Sequence, residues 1–396
     1  MLITAARVLA GADRHVIADG AVLVRDDRIA CVGPREEVQR QARPGEPRLS
    51  HPSGTVLPGL IDSHVHLCFD AGPDPVPTLQ AQDDDALFTD MKAHAEQLLG
   101  AGITTARDLG DRNGLALRLA GAVAAGRAPG PRIVSAATPV TPLGGHCWFL
   151  GGEVSGAEEV RALVRRNVTA GAQVIKVMET GGGLTKGGAD SWESQFSLED
   201  LAVLVDEAHG AGLPVAAHAH GVDGIAAAVE VGVDTIEHCT WMTADGIEVR
   251  PDVLAEIVEK GIFVCPTISP HWPMLPKFFG AERAEAMVAA VRQMAQAGVR
   301  LIAGTDAGVQ RAGFGGLASS LTFYEHLGLP KERVLALATT EAAQALGVGT
   351  ETGQLTPGYS ADLLVVEGDP LADLNALKSV MTVVAAGRHY RPGSNA

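Results

Sequence analysis

The stretch LPGLIDSHVHL, residues 57–67, ends an apolar run with two histidines one residue apart. Entered through Pro58 and Gly59, it reads as a strand, and residues i and i+2 of a strand point to one face. His64 and His66 therefore share a face at its far end. Such a pair suits a common cation, because neutral imidazole is a strong ligand for zinc and similar ions. Taken alone the pair would equally well be two core or surface histidines, so the rest of the chain decides.

From Val56 onward, short apolar runs alternate with longer Ala-rich amphipathic stretches, the signature of repeated βα units around a parallel sheet. Eight strand candidates follow: VLPGLIDSHVHL, ITTARDLG, PRIVSAA, AQVIKVMETGG, LPVAAHAHG, VDTIEHC, GIFVCPT and VRLIAGTDAG. Eight in series suit a closed (β/α)8 TIM barrel over residues 56–350 better than an open doubly wound sheet, and no GxGxxG stands at a strand-to-helix turn. Reactive residues gather at the ends of these runs: His64 and His66, then Lys176, His218 and His220, His238, and Asp306. In barrels the C-terminal strand ends form the active face, whereas randomly placed core histidines have no reason to prefer them.

Residues 1–55 alternate β-branched runs with Gly and Asp turns, and residues 351–396 add further short strands. Both ends are expected to join in one small β-sandwich module, since termini commonly lie close together. REEVQRQARPGEPRLSHPSG reads as a polar connector holding a solvated His51.

The chain of 396 residues is 46% hydrophobic and 20% charged, the composition of an ordinary α/β protein. A net charge of −16 argues against nucleic acid, whose binding needs a basic face. The first residues show no secretory signal and no run is long enough to span a bilayer. Five scattered cysteines without CxxC spacing point to reduced thiols, and with them to a cytoplasmic protein.

The motifs PGLIDSHVH, TTARDLG, IKVMETGGG, AAHAHG, IEHC, GTDAG and GQLTPGYSADLLVVEGDP resemble, in order and spacing, the amidohydrolase superfamily, in its imidazolonepropionase-like and Xaa-Pro dipeptidase-like branch. The resemblance covers nearly the whole chain. It implies a barrel with a small β-sandwich module and a centre of two divalent ions, zinc by preference, at the C-terminal mouth. Position by position it implies that His64, His66 and Asp306 hold one ion, His218 and His238 the other, and a carbamylated Lys176 bridges them.

Lys176 needs its own argument, because a protonated lysine has donors only. Carbon dioxide added to its neutral amine gives a carbamate with two anionic oxygens, one for each ion; the plain alternative is a buried lysine paired with Glu179 or Asp108. Two ions sharing a hydroxide provide a nucleophile at neutral pH, and Asp306 can take its proton and pass it to the leaving amine. His218 and His220 share a face, so periodicity leaves open which is the ligand. The family pattern favours His218, and His220, where many relatives carry tyrosine, is assigned to substrate. His146 and His271, in loops after strands, are further substrate candidates; His94, His209 and His326 read as structural, and Arg311 as a surface residue or an anion contact.

The expected function is hydrolysis of an amide or peptide bond in a dipeptide, an N-acyl amino acid or a short peptide with a free carboxylate near the bond. Three alternatives stand beside it: trimming of a modified ribosomal peptide, as in bottromycin-type pathways; cyclic-amide opening or deamination; and a scaffold that lost its chemistry. Lys176 opposes the cyclic-amide reading, since those branches generally look mononuclear. The expected partner is a small-molecule or peptide substrate, and a homo-oligomer stays open.

Overall fold

The computed structural model describes residues 1–11 and 16–392. Eight parallel strands form two hydrogen-bonded arcs. The first runs β1 (Leu60–Val65), β2 (Ile103–Asp108) and β3 (Arg132–Ser135). The second runs β4 (Ile175–Met178), β5 (Val215–Gly221), β6 (Thr235–Met242), β7 (Phe263–Cys265) and β8 (Arg300–Leu301). Each matches one of the eight runs expected from the sequence.

Main-chain bonds link the arcs at both ends. Val140 N–H donates to Lys176 O at 2.8 Å, and Met178 N–H to Val140 O at 2.9 Å. Across the other junction Ser63 N–H donates to Ala303 O at 3.0 Å and Asp306 N–H to His64 O at 2.9 Å. Asp306, although beyond β8, is thus held beside His64.

Amphipathic helices cover these strands. Pro251–Lys260 is typical: Val253, Leu254 and Ile257 share its buried face, while Glu256 and Lys260 form an ion pair on the outer one. Gly232 and Gly261, both in the left-handed region, close their helices and return the chain to β6 and β7.

The opening stretch is divided where the sequence suggested one strand. Leu57 and Pro58 end a strand, Arg48–Pro58, that belongs to a different sheet, and β1 begins after Gly59. The Thr104 side chain packs where a Cβ on Gly59 would sit, so the chain can turn there only with glycine. The expected division at 55/56 falls inside that strand. The second sheet has seven strands in the order Arg388–Tyr390, Val380–Ala385, Leu363–Glu367, Arg48–Pro58, Leu2–Leu9, Val16–Arg25, Arg28–Pro34. Both ends of the chain therefore build it.

The expected polar connector is structured. Arg35–Gln41 is a helix whose Val38 packs with Leu2, Ala21 and Leu23, and RLSHPSG lies in Arg48–Pro58. Its Pro and polar residues hid a single apolar anchor, Val38. His51, expected in solvent, is buried in the same strand, its Nε2 3.4 Å from Thr382 Oγ1.

Candidate metal centre

The ends of β1, β4, β5 and β6 and the segment after β8 converge on one cavity of about 420 Å³. His66, His146, Lys176, His218, His220, His238 and Asp306 line it. His64 lies beside them, and His271 is exposed and outside the lining.

Hydrogen bonds fix how each imidazole is presented. His64 Nδ1–H donates to Glu237 at 2.8 Å and His66 Nδ1–H to Gly110 O at 3.1 Å. Their Nε2 atoms then carry lone pairs and face each other at 3.3 Å, with Asp306 Oδ1 at 3.3 and 3.6 Å. Acceptors crowded in this way repel unless a cation lies among them, and that is the first sign that the residues fit a metal.

The second group behaves alike. Thr267 Oγ1 gives its proton to Pro266 O, so it accepts from His238 Nδ1–H at 2.6 Å. Thr240 Oγ1 gives its proton to His220 O and accepts from His220 Nδ1–H at 2.9 Å. His218 Nε2–H donates to Gly181 O at 3.1 Å, which frees its Nδ1. Each ring is left with one unengaged nitrogen, and potential ligand atoms of the three lie within 4.8 Å of one another. His220, assigned to substrate from sequence, stands within this cluster, its ring stacked on His238 at 4.3 Å.

Burial keeps these rings neutral and ready to donate lone pairs. It lowers His66 and His220 to about 4 and His146 to about 3, and takes His64, His218 and His238 well below the ordinary histidine value. Lys176 is fully buried, and burial lowers it to about 8. Among the described residues its Nζ has no hydrogen-bond partner, and neither has Asp306 Oδ1 or His146 Nδ1. Burial raises the Asp306 carboxyl to about 7, against the pull of Lys176. Lys176 forms no ion pair among the described residues: Asp108 accepts Leu67 N–H and Gly110 N–H instead.

A third grouping, His64, Glu237 and Cys265, is a support and not a cation site. Arg107 already places its guanidinium 2.7 Å from Glu237 and also donates to Ser63 O and Thr235 Oγ1. Neither Arg107 nor Glu237 was singled out from the sequence. Alternation hid Glu237: His238 has φ of 69°, and this left-handed residue lets neighbours 237 and 238 both reach the centre. Cys147, Cys239, Thr267 and Asp306, also in the cavity lining, share that conformation, which non-glycine residues adopt rarely and chiefly at functional sites.

The three histidines expected to be structural lie outside the cavity lining. His94 donates to Leu67 O and stacks on Phe314 at 4.3 Å, His209 pairs with Asp234, and His326 lies against Trp272. Arg311 is exposed over the Phe278 ring. All five cysteines are unpaired, and no helix among the described residues is long and apolar enough to cross a membrane.

Comparison with known proteins agrees with this geometry. The model of the "Amidohydrolase family" matches residues 55–389. An ochratoxinase of Aspergillus niger is 27% identical over 98% of this chain and 86% of its own. An imidazolonepropionase of Mesorhizobium japonicum is 28% identical over 91% and 89%. Among solved structures, a Xaa-Pro dipeptidase with methionine bound in its active site superposes with a TM-score of 0.85, at 28% identity over 98% of this chain and 99% of that one. The chain belongs to the amidohydrolase family, whose members typically bind divalent metals, and it is a hydrolase acting on amide bonds.

Proposed function

We propose that this amidohydrolase cleaves the amide or peptide bond of a dipeptide, an N-acyl amino acid or a short peptide at a centre for two divalent ions, zinc by preference. The observation that carries the reading is Lys176: buried, without a partner, and near enough to both histidine groups to make His64, His66, His218, His220 and His238 less basic. With a value of about 8, roughly a tenth of the amine is neutral at pH 7, the form that adds carbon dioxide. The carbamate would join His64, His66 and Asp306 on one ion with His218 and His238 on the other. Such ions supply Lewis acidity and a water acidic enough to attack a carbonyl at neutral pH.

The chain's own groups do the rest. Asp306, with an unengaged Oδ1 and a raised carboxyl, accepts the proton of the attacking water and delivers it to the leaving amine. His146 and His220 offer ring nitrogens to the carbonyl and its flanking groups. His271, outside the cavity lining, is kept only as a rim contact. Lys176 also weighs against ring opening or deamination.

The two arcs are taken as one closed (β/α)8 barrel, supported by the main-chain bonds at both junctions. The seven-stranded sheet is taken as a β-sandwich, supported by the bonds from Ala361 N–H to Asp27 O and from Gly387 N–H to Ala361 O, which draw its opposite edges together.

The function is tested by assaying dipeptides and N-acyl amino acids alongside guanine, adenosine and imidazolone-type rings. Amide cleavage is expected, and ammonia release or ring opening without it contradicts the reading. The assignment within AHAHG has its own test. His218→Asn should lose metal, whereas His220→Asn should retain it while kcat/KM falls about a hundredfold; exchange of the two phenotypes would reverse the assignment.

A further inference from the structure

Away from its metal-facing side the cavity is apolar. Trp272, Leu275, Phe279, Met287, Val288 and Val291 line it, supplied by the turn Trp272–Met274, the short helix Leu275–Phe279 and the helix Ala281–Ala297. Trp272 is held in place: its Nε1–H donates to Thr322 Oγ1 at 3.0 Å, and its ring meets Phe323 edge-on at 5.6 Å. On the same short helix Phe278 and Phe279 stay 45% and 46% exposed, more than a packed helix usually shows to water.

Charge is scarce in this lining. Among the described residues its only Lys or Arg is Lys176 and its only carboxylate is Asp306, both at the metal centre. The hydroxyls of Thr240 and Thr267 are engaged by His220 and His238, and Ser269 Oγ accepts His271 N–H. A carboxylate or ammonium seated against this wall would lose its water and gain no counter-charge. An aromatic or alkyl group would gain the return on burial.

We propose that this wall is a subsite for one bulky, uncharged apolar group, aromatic or branched alkyl, carried on one side of the scissile amide. The proposal rests on the amide-hydrolase reading and narrows its substrates: the carboxylate that the sequence led us to expect near the bond has no cationic side chain waiting for it here.

Two measurements test it on the metal-loaded protein. The first uses dipeptides Ala-X and X-Ala, with X as Phe, Leu, Asp or Lys, and their N-acetylated twins. Phe and Leu should exceed Asp and Lys in kcat/KM by about 10- to 100-fold on one of the two sides, the return for burying one such side chain. Met287→Arg, at a partly exposed position from which the guanidinium reaches water, should shrink that preference about tenfold and raise the rate on Asp. Equal rates, or a preference for charged X on both sides, overturns the subsite.

The second measurement needs no turnover. The neutral fluorophore N-phenyl-1-naphthylamine should brighten on binding wild type and bind about tenfold more weakly to Met287→Arg and Phe279→Ala. A dye that does not bind, or whose binding ignores both substitutions, also overturns it. Should no amide be cleaved at all, the proposed function falls and the dye alone decides the subsite.

Discussion

Lys176→Ala is expected to lower turnover by more than about a thousandfold and to lower the metal content below two ions per chain. The side chain is wholly buried on the second residue of β4, with an Nζ that no described group bonds. A lysine kept only for structure would be paired, because an unpaired buried ammonium costs several kcal/mol. Removing a merely packed lysine would cut stability and leave the ions in place. On the proposed reading the substitution also takes away the anion that two ions would share, so metal and activity should fall together. Metal analysis beside kinetics on the same preparation checks this, and an alanine variant with full metal and impaired folding would favour the structural role.

The second large effect concerns stability. Arg107 and Glu237 are a buried ion pair at 2.7 Å beneath His64. Arg107→Met should cost about 3 to 5 kcal/mol, because it strands a buried carboxylate. Glu237→Gln strands the guanidinium and also weakens the acceptor that orients His64, so metal affinity should drop about 10- to 100-fold. The double variant Arg107→Met/Glu237→Met separates the effects: apolar replacement of both partners should recover much of the stability, while affinity stays low because His64 has lost its acceptor. Denaturant unfolding and metal titration read the two outcomes, and a double variant with wild-type affinity would show that Glu237 does not position His64.

The sequence carried the eight parallel strands because a buried strand followed by an amphipathic helix leaves a repeating pattern. It drew attention to His64, His66, His218, His238 and Asp306 because they stand late in, or just after, the apolar runs, although β5 and β6 continue past His218 and His238. It was least informative where the pattern breaks. Leu57 and Pro58 continue the apolar run of β1 yet lie in another sheet, and only the contact of Gly59 with Thr104 explains the break. Glu237 was concealed by the left-handed His238, and Val38 was the one apolar anchor in a polar helix. The apolar wall at 272–291 carries no mark of its own in the sequence, since a residue facing a cavity and one facing a core look the same there.

Anomalous diffraction from crystals of the metal-loaded protein decides whether the proposed centre is binuclear and bridged by Lys176. Two peaks are expected, one among His64, His66 and Asp306 and one beside His218 and His238, with carbamate density extending from Lys176 Nζ between them. A single peak beside an unmodified lysine would contradict the proposal.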